Sequence, residues 1–205
     1  MEENKESSLQ TLTEIRQLME RSSRFISLSG LSGVAAGIYA IIGWYVAYWQ
    51  LDLDDLNYNP DILSWQEEVF LLIDVLIVLV LAVGTAILLT TRQARKDGNS
   101  IFDRTARNLV FNLCIPLATG GFFCLAIFSH GHGFYVPSVM LIFYGLALVQ
   151  ASNFTRNIIR GLGYAEIILG LMSLFSLWNP FLFWLIGFGI LHIVYGTYMH
   201  FKYQR

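Results

Sequence analysis

Two ionisable residues, Glu166 and His192, stand inside apolar runs in the last quarter of the chain. Each is flanked by glycine at the same spacing: Gly163-x-x-Glu166-x-x-x-Gly170 and Gly189-x-x-His192-x-x-x-Gly196. Positions three before and four after a residue share its helix face, so each ionisable group sits in a stripe of glycine. Asn179-Pro180 lies between the two runs and reads as a tight turn. Counted from that turn, both residues reach about 18 Å of depth at ~1.5 Å rise per residue. The pattern predicts a carboxylate meeting an imidazole on neighbouring, glycine-smoothed helices. Such a pair can respond to protons, because imidazole titrates near pH ~6.5, or it can form part of a solute path. It can equally be a buried hydrogen bond that locks two helices together, a contact worth ~0.6 kcal/mol on average. The residue types leave both readings open.

Asp74 is the third ionisable group expected inside the membrane. It lies six residues past Glu68, hence about 9 Å inside the boundary. It can mark the entrance to a path toward Glu166 and His192, or it can reach up to the headgroups. His130-Gly131-His132 is a weak metal candidate, since two histidines with no specified third ligand do not make a zinc set. No HExxH, GxSxG, phosphate-cradling glycine loop or CxxC motif occurs, so no catalytic residue and no cofactor is expected. Cys114 and Cys124 fall ten apart on one expected helix. That is ~15 Å of rise, too far for a mutual disulfide.

The elements that must position these groups follow from composition. The chain has 205 residues, 55% hydrophobic and 14% charged, against ~25% charged in an average soluble domain. Six apolar stretches, at about 26–49, 68–90, 108–128, 134–153, 159–178 and 181–200, approach the ~20 residues that cross a bilayer. The expected fold class is therefore all-α: a polytopic membrane protein with six transmembrane helices arranged as three hairpins (residues 26–205). A cytoplasmic leader over 1–25 precedes them. There Leu9, Leu12, Ile15 and Met19 recur at helical spacing, which predicts a short amphipathic helix over 8–22. No cleavable signal peptide is expected.

Charge sets the orientation. All 13 basic residues fall in the leader, in 91–107, in 154–160 or in the tail, while 50–67, 129–133 and 179–180 hold none. The positive-inside rule then places both termini in the cytoplasm. The five tryptophans cluster toward the opposite half, as an outer aromatic belt would. Loop 50–67 carries Asp52, Asp54, Asp55, Asp61 and Glu67. The basic segment 91–107 suits anionic headgroups better than nucleic acid.

Packing signals are plain. Gly33-x-x-x-Gly37 in the first stretch permits close helix contact, within the chain or between copies in a homo-oligomer. Gly163, Gly170, Gly189 and Gly196 extend the same signal. Pro116 predicts a kink in the third stretch. Val83-Gly84-Thr85, Phe143-Tyr144-Gly145 and Val194-Tyr195-Gly196-Thr197 suggest a threefold repeat of hairpins.

Two segments carry a resemblance. Gly161 to Gly170 with Phe183 to Gly196, and the opening Arg21-Ser-Ser-Arg-Phe-Ile-Ser-Leu-Ser-Gly30-Leu-Ser-Gly33, resemble a group of uncharacterised bacterial six-span membrane proteins. The hairpin with Leu-Trp-Asn179-Pro180 at its turn is faintly similar to the HdeD-type acid-resistance membrane proteins. The resemblance implies a bacterial inner membrane and no particular activity. Two functions are expected from the whole. One is a small permease or proton-responsive transport or channel protein, with Asp74, Glu166 and His192 along a polar path and a small solute or proton as its partner. The other is a non-catalytic scaffold or sensor subunit that engages a partner through its leader helix and basic loop.

Overall fold

The computed structural model describes residues 29–51, 64–96, 104–155, 157–176 and 179–203. The expected leader helix, most of the acidic loop and Trp178 lie outside the described residues. Among the described residues six helices are long and apolar enough to cross a membrane, and there is no strand. They are α1 (Gly30–Leu51), α2 (Trp65–Lys96), α3 (Arg104–Ser129), α4 (Val136–Ala151), α5 (Asn157–Phe175) and α6, which starts at Pro180 and ends at Tyr203. Short 3₁₀ turns, Gly133–Tyr135 and Ser152–Phe154, extend α4 at its two ends. This is the architecture of a multi-pass membrane protein, because the large apolar surfaces it leaves exposed need lipid as their solvent.

The basic segment between the second and third stretches differs from the expected loop. Arg92, Arg95 and Lys96 stand on the last turns of α2, and Arg104 and Arg107 on the first turns of α3. At 32 residues, α2 runs about 48 Å, well beyond ~30 Å of hydrocarbon. Ala, Gln, Arg and Lys are good helix formers, and cations complement the negative end of the helix dipole, so the helix continues past the apolar run. Its other end is fixed by a capping box. The Ser64 backbone N–H and hydroxyl both donate to Glu67 Oε2, at 2.7 and 2.8 Å. α3 runs unbroken through Pro116.

Most consecutive helices pack on one another, and α6 closes back on α1 and α4. α2 lies against α1, α1 against α6, α6 against both α4 and α5, and α3 against α4. The two closest seams cross between hairpins. On α4–α5, a Cβ placed on Gly145 would come 2.6 Å from the Gly163 carbonyl oxygen, and one on Gly170 would come 2.8 Å from that of Ser138. The Ser138 and Ser173 hydroxyls, 2.7 Å apart, close the same seam in its interior. On α1–α6, a Cβ on Gly196 would meet the Val34 amide nitrogen at 2.6 Å, and one on Gly37 the Gly189 carbonyl oxygen at 2.6 Å. Gly33 packs on Gly196 Cα. By contrast Gly84 of α2 has open space around it. The three glycines of the suggested repeat therefore have different surroundings.

Candidate functional site

Glu166 and His192 are brought together where α5 meets α6. His192 Nδ1 lies 3.5 Å from Glu166 Oε1, and the Glu166 side chain has no solvent exposure. The glycines that make this possible are not those expected. Gly163 and Gly170 face α4, and Gly189 and Gly196 face α1, so neither stripe smooths the α5–α6 contact. The space for the carboxyl is left by Gly187, where a Cβ would run into Glu166 Oε2 and Leu141 Cδ2.

The local cause is a change of helix type. Residues Leu185–Leu191 form a π-helical turn between the α-helical Pro180–Trp184 and His192–Tyr203. In a π-turn the residues five apart are the bonded neighbours, which brings Gly187 close to His192. His192 Nδ1 lies 3.0 Å from the Gly187 carbonyl oxygen. A reading at uniform α spacing places position 187 on another face. The start of this helix is secured by Asn179, whose side-chain oxygen accepts from the Phe181 N–H at 2.9 Å, with Pro180 at the first helical position.

The third member of the cluster is Tyr144 on α4. Its hydroxyl lies 2.8 Å from His192 Nε2. A carbonyl oxygen only accepts, so Nδ1 carries the hydrogen that it donates to Gly187. In the neutral ring Nε2 then accepts from the Tyr144 hydroxyl. In an imidazolium Nε2 would instead donate to it. The ring is walled by aromatics, with Tyr144 and Phe188 centroids at 5.3 and 5.9 Å from it and Trp184 tilted against Phe188 at 5.2 Å. Sequence reading used Tyr144 only as part of a repeat. The signal for its role was a tyrosine within an apolar span, since a buried phenol needs a partner.

Glu166 is served differently. Neither of its carboxyl oxygens has a hydrogen-bond partner among the described residues. His192 Nδ1 stands 3.5 Å from Oε1, but its hydrogen already points at the shorter Gly187 contact. A buried carboxylate without paired hydrogen bonds costs on the order of several kcal/mol. The charge on Glu166 and the protons on His192 are therefore coupled. The cluster has two ways of lowering the cost: a proton on the carboxyl, or an imidazolium beside it.

Asp74 does not join this cluster. Its carboxylate packs against α1, where a Cβ on Gly43 would lie 3.1 Å from Asp74 Oδ2. Gly37 faces α6 and Gly43, six residues on, faces α2. At about 100° per residue the two contacts occupy different sides of α1. His130 Nδ1 lies 2.7 Å from the Ala126 carbonyl oxygen, and His132 is exposed. No group of three or more His, Cys, Asp or Glu side chains converges among the described residues.

Fold and centre together define a class: a multi-pass helical membrane protein with an ionisable cluster enclosed by its helices. No protein-family model matches the chain, and no curated protein or solved structure matches it either. The geometry itself is therefore the basis for any functional reading.

Proposed function

We propose that this chain is a proton-responsive transport or channel protein of a bacterial inner membrane, with both termini cytoplasmic. In this reading Glu166 and His192 exchange protons in the interior, and Tyr144 holds the imidazole. It is not an enzyme, and its cargo is a proton or a small solute. The observation that carries the reading is the carboxyl of Glu166, fully buried yet without a hydrogen-bond partner on either oxygen among the described residues. A purely structural clamp satisfies its buried polar atoms. A group that must gain and lose a proton gains from a looser, 3.5 Å arrangement. Ionisable groups held at membrane depth commonly mark ion and proton routes.

The test is flux in proteoliposomes that enclose a pH-sensitive dye, after an external pH step. Wild-type chain should collapse the gradient. Glu166→Gln and His192→Ala should each slow it about tenfold or more, with circular dichroism and detergent melting close to wild type. Unchanged flux in both variants, with only a lowered melting temperature, would sink the reading and leave a structural lock.

A further inference from the structure

A second feature lies away from the Glu166 centre, between α3, α4 and α5. It is a groove of about 550 Å³, within the 300–1,000 Å³ range of small-molecule sites. Its walls change character along their length. Phe143, Leu146 and Gln150 of α4 and Asn153 of the 3₁₀ turn that extends it line the groove in succession, so the groove is apolar toward the middle of the helix and polar at its end. On α3 the wall is Pro116 and Thr119, and on α5 it is Tyr164 and Arg160. Leu146, Thr119 and Tyr164 are exposed, which opens the groove sideways to the surface that faces lipid.

Arg160 sets the charge of the polar end. Its Nε donates to Ser152 Oγ at 2.9 Å and its Nη2 to Asn153 Oδ1 at 2.8 Å. Both acceptors are neutral, so its positive charge is uncompensated by any acid among the described residues. The two bonds hold the guanidinium at the mouth of the groove. Gln150 is also pinned, donating to Asn112 Oδ1 at 3.1 Å. This end belongs to the basic end of the molecule, because the first turns of α3, with Arg104 and Arg107, pack through Ala106 and Leu109 on Ala151 and Phe154.

We propose that this groove binds one anionic phospholipid from the basic-side leaflet. The phosphate sits on the free face of the Arg160 guanidinium, and an acyl chain runs along Pro116, Phe143 and Leu146. The polarity gradient matches that of a lipid, and the sideways opening admits a molecule already dissolved in the membrane. Basic pockets between membrane helices favour anionic headgroups for this charge reason, and the planar guanidinium suits phosphate oxygens.

The experiment is native mass spectrometry of the full chain in a neutral detergent, offered phosphatidylglycerol or phosphatidylcholine of equal chain length. Wild type should retain phosphatidylglycerol in preference. Arg160→Gln should lose that preference by about tenfold or more. Leu146→Trp fills the apolar half and leaves the charge in place; it should lose both lipids. Equal retention by wild type and Leu146→Trp would overturn the proposal, whatever the folding of the arginine variant. So would displacement of phosphatidylglycerol by equimolar inorganic phosphate, which would mark a free-anion site.

Discussion

The α4–α5 seam and the outer helix α2 are built from similar residues, yet they hold opposite places in the molecule. Both are apolar helices interrupted by glycine. In the seam, Gly145 and Gly163 oppose each other, backbone meets backbone, and two serine hydroxyls pair in the interior. In α2 no residue of the most apolar stretch is buried, and a Cβ added at Gly84 would meet nothing within 4 Å. Leu79, Val80, Ile87 and Leu88 point outward instead. A glycine brings helices together only when a neighbouring helix presents a surface that fits the space it leaves, as Gly145 and Gly163 do for each other. Lipid offers no hydrophobic drive between helices, so contact depends on such shape matching. The ionisable cluster lies where α6 meets this seam, because only close-packed helices exclude water and lipid from a carboxyl.

The contrast can be broken most sharply at Gly163. A larger side chain there meets the Gly145 carbonyl oxygen and the Val149 amide, both rigid backbone. Gly163→Leu should therefore cost about 1–3 kcal/mol or more, read as a fall in detergent melting temperature. The same change at Gly84, where an added Cβ meets nothing within 4 Å, should not lower the melting temperature and should gain helix propensity, and equal losses at both sites would erase the distinction. A smaller effect is expected at Gly187, whose neighbours are the ends of the Glu166 and Leu141 side chains. These can shift, so Gly187→Ala should cost only about 1 kcal/mol while pushing the carboxyl away from its place beside His192. A melting curve together with the dye-flux assay separates those two consequences. The smallest effect is at Gly84 itself. Gly84→Ala adds helix propensity at an open site and should stabilise by roughly 0.5–1 kcal/mol. A loss there would mean that α2 packs on something beyond this chain.

Much of this was legible in residue order. Six apolar runs fixed six helices, with ends displaced mainly where α2 and α3 carry their basic turns beyond the hydrocarbon. Glu166 and His192 stood out because few ionisable residues occur in those runs. Gly33 and Gly37 were read as packing residues, and they lie against α6.

Partnership was not legible. The glycine stripes around Glu166 and His192 were expected to face each other, but they turn to α4 and α1. Sequence spacing shows which residues share a face and never which helix that face will meet. Tyr144 reaches His192 across 48 positions, a relation that no local period encodes. Gly187 was hidden by the π-turn, which shifts the helical phase within one span. Local hydrogen bonding and transfer to lipid act residue by residue, so the sequence by itself determined helices, their lengths and their isolated charges. Close packing is a relation between surfaces, so only the tertiary structure decided which glycines meet, which acid is enclosed and which is left half-buried against α1.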